Sequence, residues 1–266
     1  MMFVDINARV GHWPFQKLRY ANCAALLERM DRFGTGLSVV SSLNGIFYKN
    51  TQSANEELVE ELQSDLRFRG RFIPFAVINP LYATWEKDLD TCYDKLGMRG
   101  VCVYPQYHDY DIHHPSLIKL AEAARDRGLP LAFTVRMVDT RQRFWMDIGK
   151  EWTLNELMPI VGHVPDGKYL FLNISSGYRL NEENTRIANR ANLLLDTSGR
   201  GMSDMRDIIR LYGRTKIAFG SHSPILDYLT GQLRIAYLSA EEADDETKRL
   251  LQRGNAQSFL GIGSSD

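Results

Sequence analysis

The chain has 266 residues, 44% of them hydrophobic and 24% charged, enough for one barrel-sized domain of about 250 residues or for two small ones. Lys and Arg number 32 against 33 Asp and Glu, a formal net charge of −1, so no bulk field is present to hold nucleic acid or an anionic membrane. Cys23, Cys92 and Cys102 match no metal or redox spacing, and their odd number speaks against a disulfide framework.

The opening "MMFVDINARVG" lacks a basic stretch followed by an apolar core, so no signal peptide is expected. No apolar run nears the roughly 20 residues that span a bilayer. A soluble, cytoplasmic chain is expected.

A first strand is predicted near 3–7, after which Asn22 can cap a helix running through "CAALLERMDRF" to Gly34. A strand near 37–43 follows. Ser53 to Glu56 reads as a capping box opening "ANEELVEELQSDL", before a strand near 71–78. The helical run "ATWEKDLDTCYDKL" ends at Gly97 and a strand is predicted near 99–104. Pro115 suits the first turn of "PSLIKLAEAARDR", which Gly128 closes ahead of a strand near 130–135. Three more helix–strand pairs follow: "TLNELMPIV" with 169–174, "EENTRIANR" with 192–196, and "SDMRDIIRLY" with 216–220. A last helix, "AEEADDETKRLLQR", has acids early and bases late, as a helix dipole favours.

Eight near-continuous apolar strands alternating with helices suit a parallel sheet buried on both faces. The pattern predicts a single (β/α)8 barrel spanning 1–266. A doubly wound open sheet is the alternative, but no G-x-G-x-x-G follows the first strand.

In such a barrel the chemistry is built where strands end. Polar residues just past the strands are Asp5, Asn7, Arg9 and His12, then Asn44, Asn79 and Tyr104. Next come His108, His113, His114, Arg136, Asp139 and Arg141, then Asn173, Asp196, Ser198 and His222. Such residues can simply mark strand-to-loop transitions. Arg136, Asn173 and His222, however, directly follow apolar runs, where a buried Arg or His needs a partner. His113 and His114 point apart if they begin a helix, which disfavours a metal cluster there. His163 precedes a strand, away from the active rim, and reads as structural.

The segments "FVDINARVGHWPF", "LGMRGVCVYP", "ANLLLDTSG", "KIAFGSHSP" and "RGNAQSFLGI", in this order and spacing, resemble the amidohydrolase superfamily, specifically its amidohydrolase-2 branch of decarboxylases and lactonases. The resemblance covers nearly the whole chain. It implies one or two divalent metals held by a His-x-His after the first strand, by histidines after the fifth and sixth, and by an aspartate after the eighth. Here those positions read Asn7 and Arg9, Arg136, Asn173 and His222. Arginine cannot ligate a metal, and at about 4–6 Å it repels a dication by roughly 6–8 kcal/mol. No cofactor is therefore expected.

Three readings stay open. The first is a metal-independent, lactonase-like hydrolase of a small carboxylated or otherwise anionic substrate. In it Arg9 and Arg136 hold the anion, His222 moves a proton, and Asn7, His12, Tyr104, His108, Asp139, Arg141, Asn173 and Ser198 line the site. The second is a catalytically silent ligand-binding barrel. The third is a metal-dependent hydrolase or decarboxylase with zinc or a similar ion on His12, His108, Asp196 and His222. A homo-oligomer is compatible with all three.

Overall fold

The computed structural model describes residues 3–174 and 177–263. Nine strand segments run parallel: β1 (Phe3–Val10), β2 (Thr35–Ser42), β3 (Phe72–Pro74), β4 (Ala76–Val77), β5 (Val101–Val103), β6 (Pro130–Thr134), β7 (Lys168–Leu172), β8 (Asn192–Asp196) and β9 (Ile217–Ala218). They pair in the order β1-β2-β3 and β4-β5-β6-β7-β8-β9. The two sets join at Phe75, whose N–H bonds Val40 O while the next residue, Ala76, bonds Gly100 O. β3 and β4 are thus one barrel strand that changes neighbour at Phe75. The ring closes where Ile6 N–H bonds Phe219 O and His222 N–H bonds Asn7 O. This is the (β/α)8 barrel that the sequence predicts.

Inward and outward residues alternate along the strands, as a period of two requires. Cys102, Ala132, Leu170, Leu172 and Leu194 fill the barrel, whereas Val101, Val103, Phe133, Phe171 and Leu195 face the helices. Gly100 is needed here because a Cβ would stand 2.3 Å from the Phe75 ring. In β1 the alternation breaks. Val4 and Ile6 point inward, the pairing with β2 shifts between Asp5 and Ala8, and Asn7 and Arg9 then also face inside. A bulge at that place re-aims two polar side chains into the core.

The helices are α1 (Cys23–Arg32), α2 (Asn44–Phe47), α3 (Thr51–Gln63), α4 (Trp85–Asp90), α5 (Pro115–Asp126), α6 (Leu154–His163), α7 (Glu182–Arg190), α8 (Met202–Tyr212), α9 (Tyr228–Ala236), α10 (Asp245–Arg249) and α11 (Asn255–Leu260). Asn22 caps α1 as expected, its Oδ1 accepting from Ala25 N at 2.8 Å. The Ser53 capping box is corrected: α3 begins at Thr51, because Asn50 Oδ1 already accepts from Gln52 N. The last helix is displaced toward the C-terminus from its expected place. It starts after Asp244, which caps it, and passes through a π turn at Leu250–Gly254. That turn accompanies a bond from the barrel, Phe219 N–H to Leu251 O at 2.8 Å. Helix α9 has no counterpart among the expected elements; Asp227 caps it, Oδ1 accepting from Leu229 N at 2.9 Å.

Among the described residues no helix is long and apolar enough to cross a membrane.

Candidate active-site mouth

The C-terminal ends of β1, β5, β6, β8 and β9 converge on Arg9. Its side chain is 1% exposed. Nε donates to Tyr104 OH at 3.1 Å and Nη2 to Thr134 Oγ1 at 2.6 Å. Nη1 donates to Asn7 Oδ1 at 2.6 Å and to His222 Nδ1 at 2.9 Å. No carboxylate pairs with it directly among the described residues. The cation is instead linked to a carboxylate through one amide, because Asn7 Nδ2 donates to Asp196 Oδ2 at 2.5 Å.

These contacts fix the imidazole of His222. A guanidinium only donates, so Nδ1 is the acceptor and Nε2 carries the proton. That proton goes to Met137 O, 2.7 Å away. The ring is fully buried, and burial, with the Arg9 charge next in weight, holds its pKa well below 6.5. Both effects favour the neutral imidazole.

Two buried carboxylates flank the pair. Asp196 accepts from Asn7, from Ser198 Oγ at 2.6 Å and from Asn173 N at 2.8 Å. Asp5 accepts from Ser221 Oγ at 2.6 Å and from the amides of Asn7 and Ser221. Burial raises both pKa values, and these hydrogen bonds oppose the rise. Asn173 and His222 both sit in the left-handed region, with φ of 52° and 55°. Asn and His enter that region more readily than most side chains.

The expected site residues divide into three groups. Asn7, Arg9, Tyr104, Asn173, Ser198 and His222 come together around Asp196. Arg136, Asp139 and Arg141 form a chain of charges at the rim, joined to the first group where Asn173 Nδ2 donates to Arg136 O at 2.7 Å. Arg136 Nη1 lies 3.2 Å from Asp139 Oδ2 and 3.8 Å from Glu151 Oε1, its Nη2 donates to Gly199 O, and its Nε is buried without a partner. Asp139 also holds Arg141 at 2.8 Å, and the Arg141 hydrogen bonds keep its carboxyl well below the usual range. His12 is exposed and lies outside both groups, and His108 packs edge-on against the Tyr104 ring at 6.2 Å between centroids while its Nε2 meets Gly45 O at 3.0 Å.

Sequence reasoning missed Thr134 and the carbonyl of Met137. Thr134 was legible as a polar residue in register with inward-facing Ala132. No sequence signal marks a backbone carbonyl. Trp13 and Phe15 from the loop after β1, Phe47 at the end of α2 and Tyr107 from the loop after β5 form an aromatic cluster with ring centroids 5.3–6.0 Å apart. Tyr107 OH ties it to Asp147 of the loop after β6, at 2.9 Å.

The sequence comparison gives the family of this barrel. The amidohydrolase family model matches residues 19–262, and the chain belongs to the amidohydrolase-2 family. A search of curated proteins found no significant match. Among solved structures, 2,6-dihydroxybenzoate decarboxylase from Rhizobium is similar at a TM-score of 0.75 and 15% identity, over 98% of this chain and 99% of that one. A dihydroxybenzoic acid decarboxylase from Polaromonas, with manganese and 2-nitroresorcinol bound, has a TM-score of 0.73 at 15% identity, over 98% and 97% of the two chains. A 5-carboxyvanillate decarboxylase from Sphingomonas paucimobilis gives 0.75 at 14% identity, over 98% and 99%. At such identities the likeness shows the fold.

The residues present do not fit a divalent metal of the kind the Polaromonas relative holds. The lone pair of His222 Nδ1 is taken by Arg9, whose fixed charge stands beside it. The four rearranged ligands are not assembled either. His108 Nε2 is taken up by Gly45 O, Asn7 separates His222 from Asp196, and no metal-competent cluster of three or more His, Cys, Asp or Glu exists among the described residues.

Proposed function

We propose that this amidohydrolase-2 barrel works without a metal, and binds a small carboxylated or otherwise anionic molecule at its rim without turning it over at the barrel centre. The observation that carries this reading is the lock between Arg9 and His222. With Nδ1 occupied by Arg9 and the Nε2 proton held by Met137 O, the imidazole has no free lone pair for a substrate proton. Arg9 has spent donors on all three nitrogens internally, so the anion falls to Arg136. Its guanidinium stands at the rim with Nε unpartnered, and an incoming carboxylate would compete there with Asp139 and Glu151. Phe144, on the same loop after β6 as Asp139, stacks with Phe15, which meets Phe47, and these ring faces at the same end of the barrel suit an aromatic acid of the kind named for the Rhizobium and Polaromonas relatives.

Heat titration with 2,6-dihydroxybenzoate tests this. Arg136→Lys keeps the charge but loses the planar fork, and is expected to weaken binding about tenfold. Equal binding by parent and R136K overturns the assignment, as does carbon dioxide release by the parent protein.

A lactonase-like hydrolysis is the second reading, favoured by the neutral His222 beside a fixed cation. It requires Nδ1 to leave Arg9 before it can act as a base. A lactone consumed by the parent protein but about 10²–10⁴-fold more slowly by a folded His222→Asn variant would establish it.

A further inference from the structure

At the opposite end of the barrel, three cations surround one cavity of about 450 Å³. Arg99 stands just before β5, Arg127 caps α5 ahead of β6, and Lys168 opens β7. Neighbouring strands lie about 4.8 Å apart, so the topology brings these positions side by side. Ile73, Tyr93 and Phe259 supply an apolar wall, and no acidic residue lines the cavity among the described residues. In a chain of net charge −1 this is a local concentration of positive charge.

A structural explanation covers only one of the three. Helices of the barrel end at this face, and cations there offset their carbonyl ends. Arg127 does so, donating to Ala123 O at 2.8 Å and pairing with Asp90. The side chains of Arg99 and Lys168 make no hydrogen bond or ion pair with the described residues. Arg99 is exposed and Lys168 half-buried, so both charges are open to a ligand that enters the cavity. A phosphate dianion matches it, since Arg offers paired donors and Lys a point charge to the same oxygens. The volume lies in the ordinary range for small-molecule sites.

We propose that this cavity is a second binding site, separate from the mouth, for a phosphate monoester carried on a small aromatic or apolar body. Arg99, Lys168 and Arg127 hold the phosphate, and Ile73, Tyr93 and Phe259 hold the body. The test is heat titration of the full chain with phenyl phosphate, inorganic phosphate and phenol. Phenyl phosphate is expected to bind most tightly, inorganic phosphate more weakly, and phenol not at all. Read at the Gly128 and Gly261 amides that line this cavity, replacing both free cations (Arg99→Gln with Lys168→Gln) should weaken phenyl phosphate by at least about tenfold, while R136Q, which removes only the mouth's arginine, leaves that local titration unchanged. Phenyl phosphate should also shift the amide resonances of Gly128 and Gly261 in the unaltered protein, a reading independent of how any variant folds. An unchanged Gly128 and Gly261 titration in the double variant, its loss in R136Q, or unmoved Gly128 and Gly261 resonances in the unaltered protein would each overturn the site. Inorganic phosphate binding as tightly as phenyl phosphate would overturn the apolar-body assignment.

Discussion

Arg9 Nη1 and His222 Nδ1 share a hydrogen bond of 2.9 Å inside the barrel. Its direction is forced, because a guanidinium has no acceptor, and it follows that the imidazole proton lies on Nε2. One contact thus sets the tautomer and charge of His222 and occupies the lone pair a metal would need.

Metal removal follows from this contact. A strong chelator should leave the melting temperature unchanged, and added manganese or zinc should not raise it. A tightly bound ion at a hundredfold excess over its Kd would stabilise by about 2.7 kcal/mol. A melting-temperature rise of that order on adding either metal would contradict the reading of the mouth.

Arg9→Met tests how much the hydrogen-bonded centre stabilises the fold. It leaves Tyr104, Thr134, Asn7 and His222 short of a donor, at about 1–3 kcal/mol for each buried group left unsatisfied. Partial relaxation brings the expected loss to about 3–5 kcal/mol by denaturant unfolding. A loss under about 1 kcal/mol would show that these contacts are incidental.

His222 also predicts a pH dependence. Its folded pKa lies well below the ordinary 6.5, so the unfolded chain binds the extra proton first. Its contribution is complete above pH 6.5 and is lost as pH falls from there through the folded value. Asp5 and Asp196, with raised pKa values, act in the opposite sense: they favour the native state as they protonate. Comparison with His222→Asn isolates the imidazole. The parent should lose stability relative to that variant as pH drops below 6.5, and parallel curves would sink the assignment.

Gly199 supports the mouth from outside it. Its φ is +67° and a Cβ would fall 1.9 Å from Asn173 Oδ1. Gly199→Ala combines left-handed strain with overlap at a buried amide, for an expected loss of about 2–4 kcal/mol. An alanine variant as stable as the parent would mean that Asn173 is free to move.

The sequence alone determined the barrel. Eight apolar runs buried on both faces, separated by helices with readable caps at Asn22, Pro115 and Gly128, leave few other ways to cover a parallel sheet. Through the family resemblance it also pointed to Asn7, Arg9, Arg136, Asn173 and His222 at the positions where that resemblance implies metal ligands, since a residue type is visible without any coordinates. What those residues do was decided only in three dimensions. The bulge between Asp5 and Ala8 puts Asn7 and Arg9 inside the barrel, and a change in register leaves no compositional trace. The two arginines expected to act together are divided by their surroundings, Arg9 enclosed by neutral donors and acceptors and Arg136 facing Asp139 and Glu151. His222 meets Met137 O across 85 residues of chain. Polar function depends on which lone pair faces which proton, and that is set by backbone placement rather than by the order of side chains.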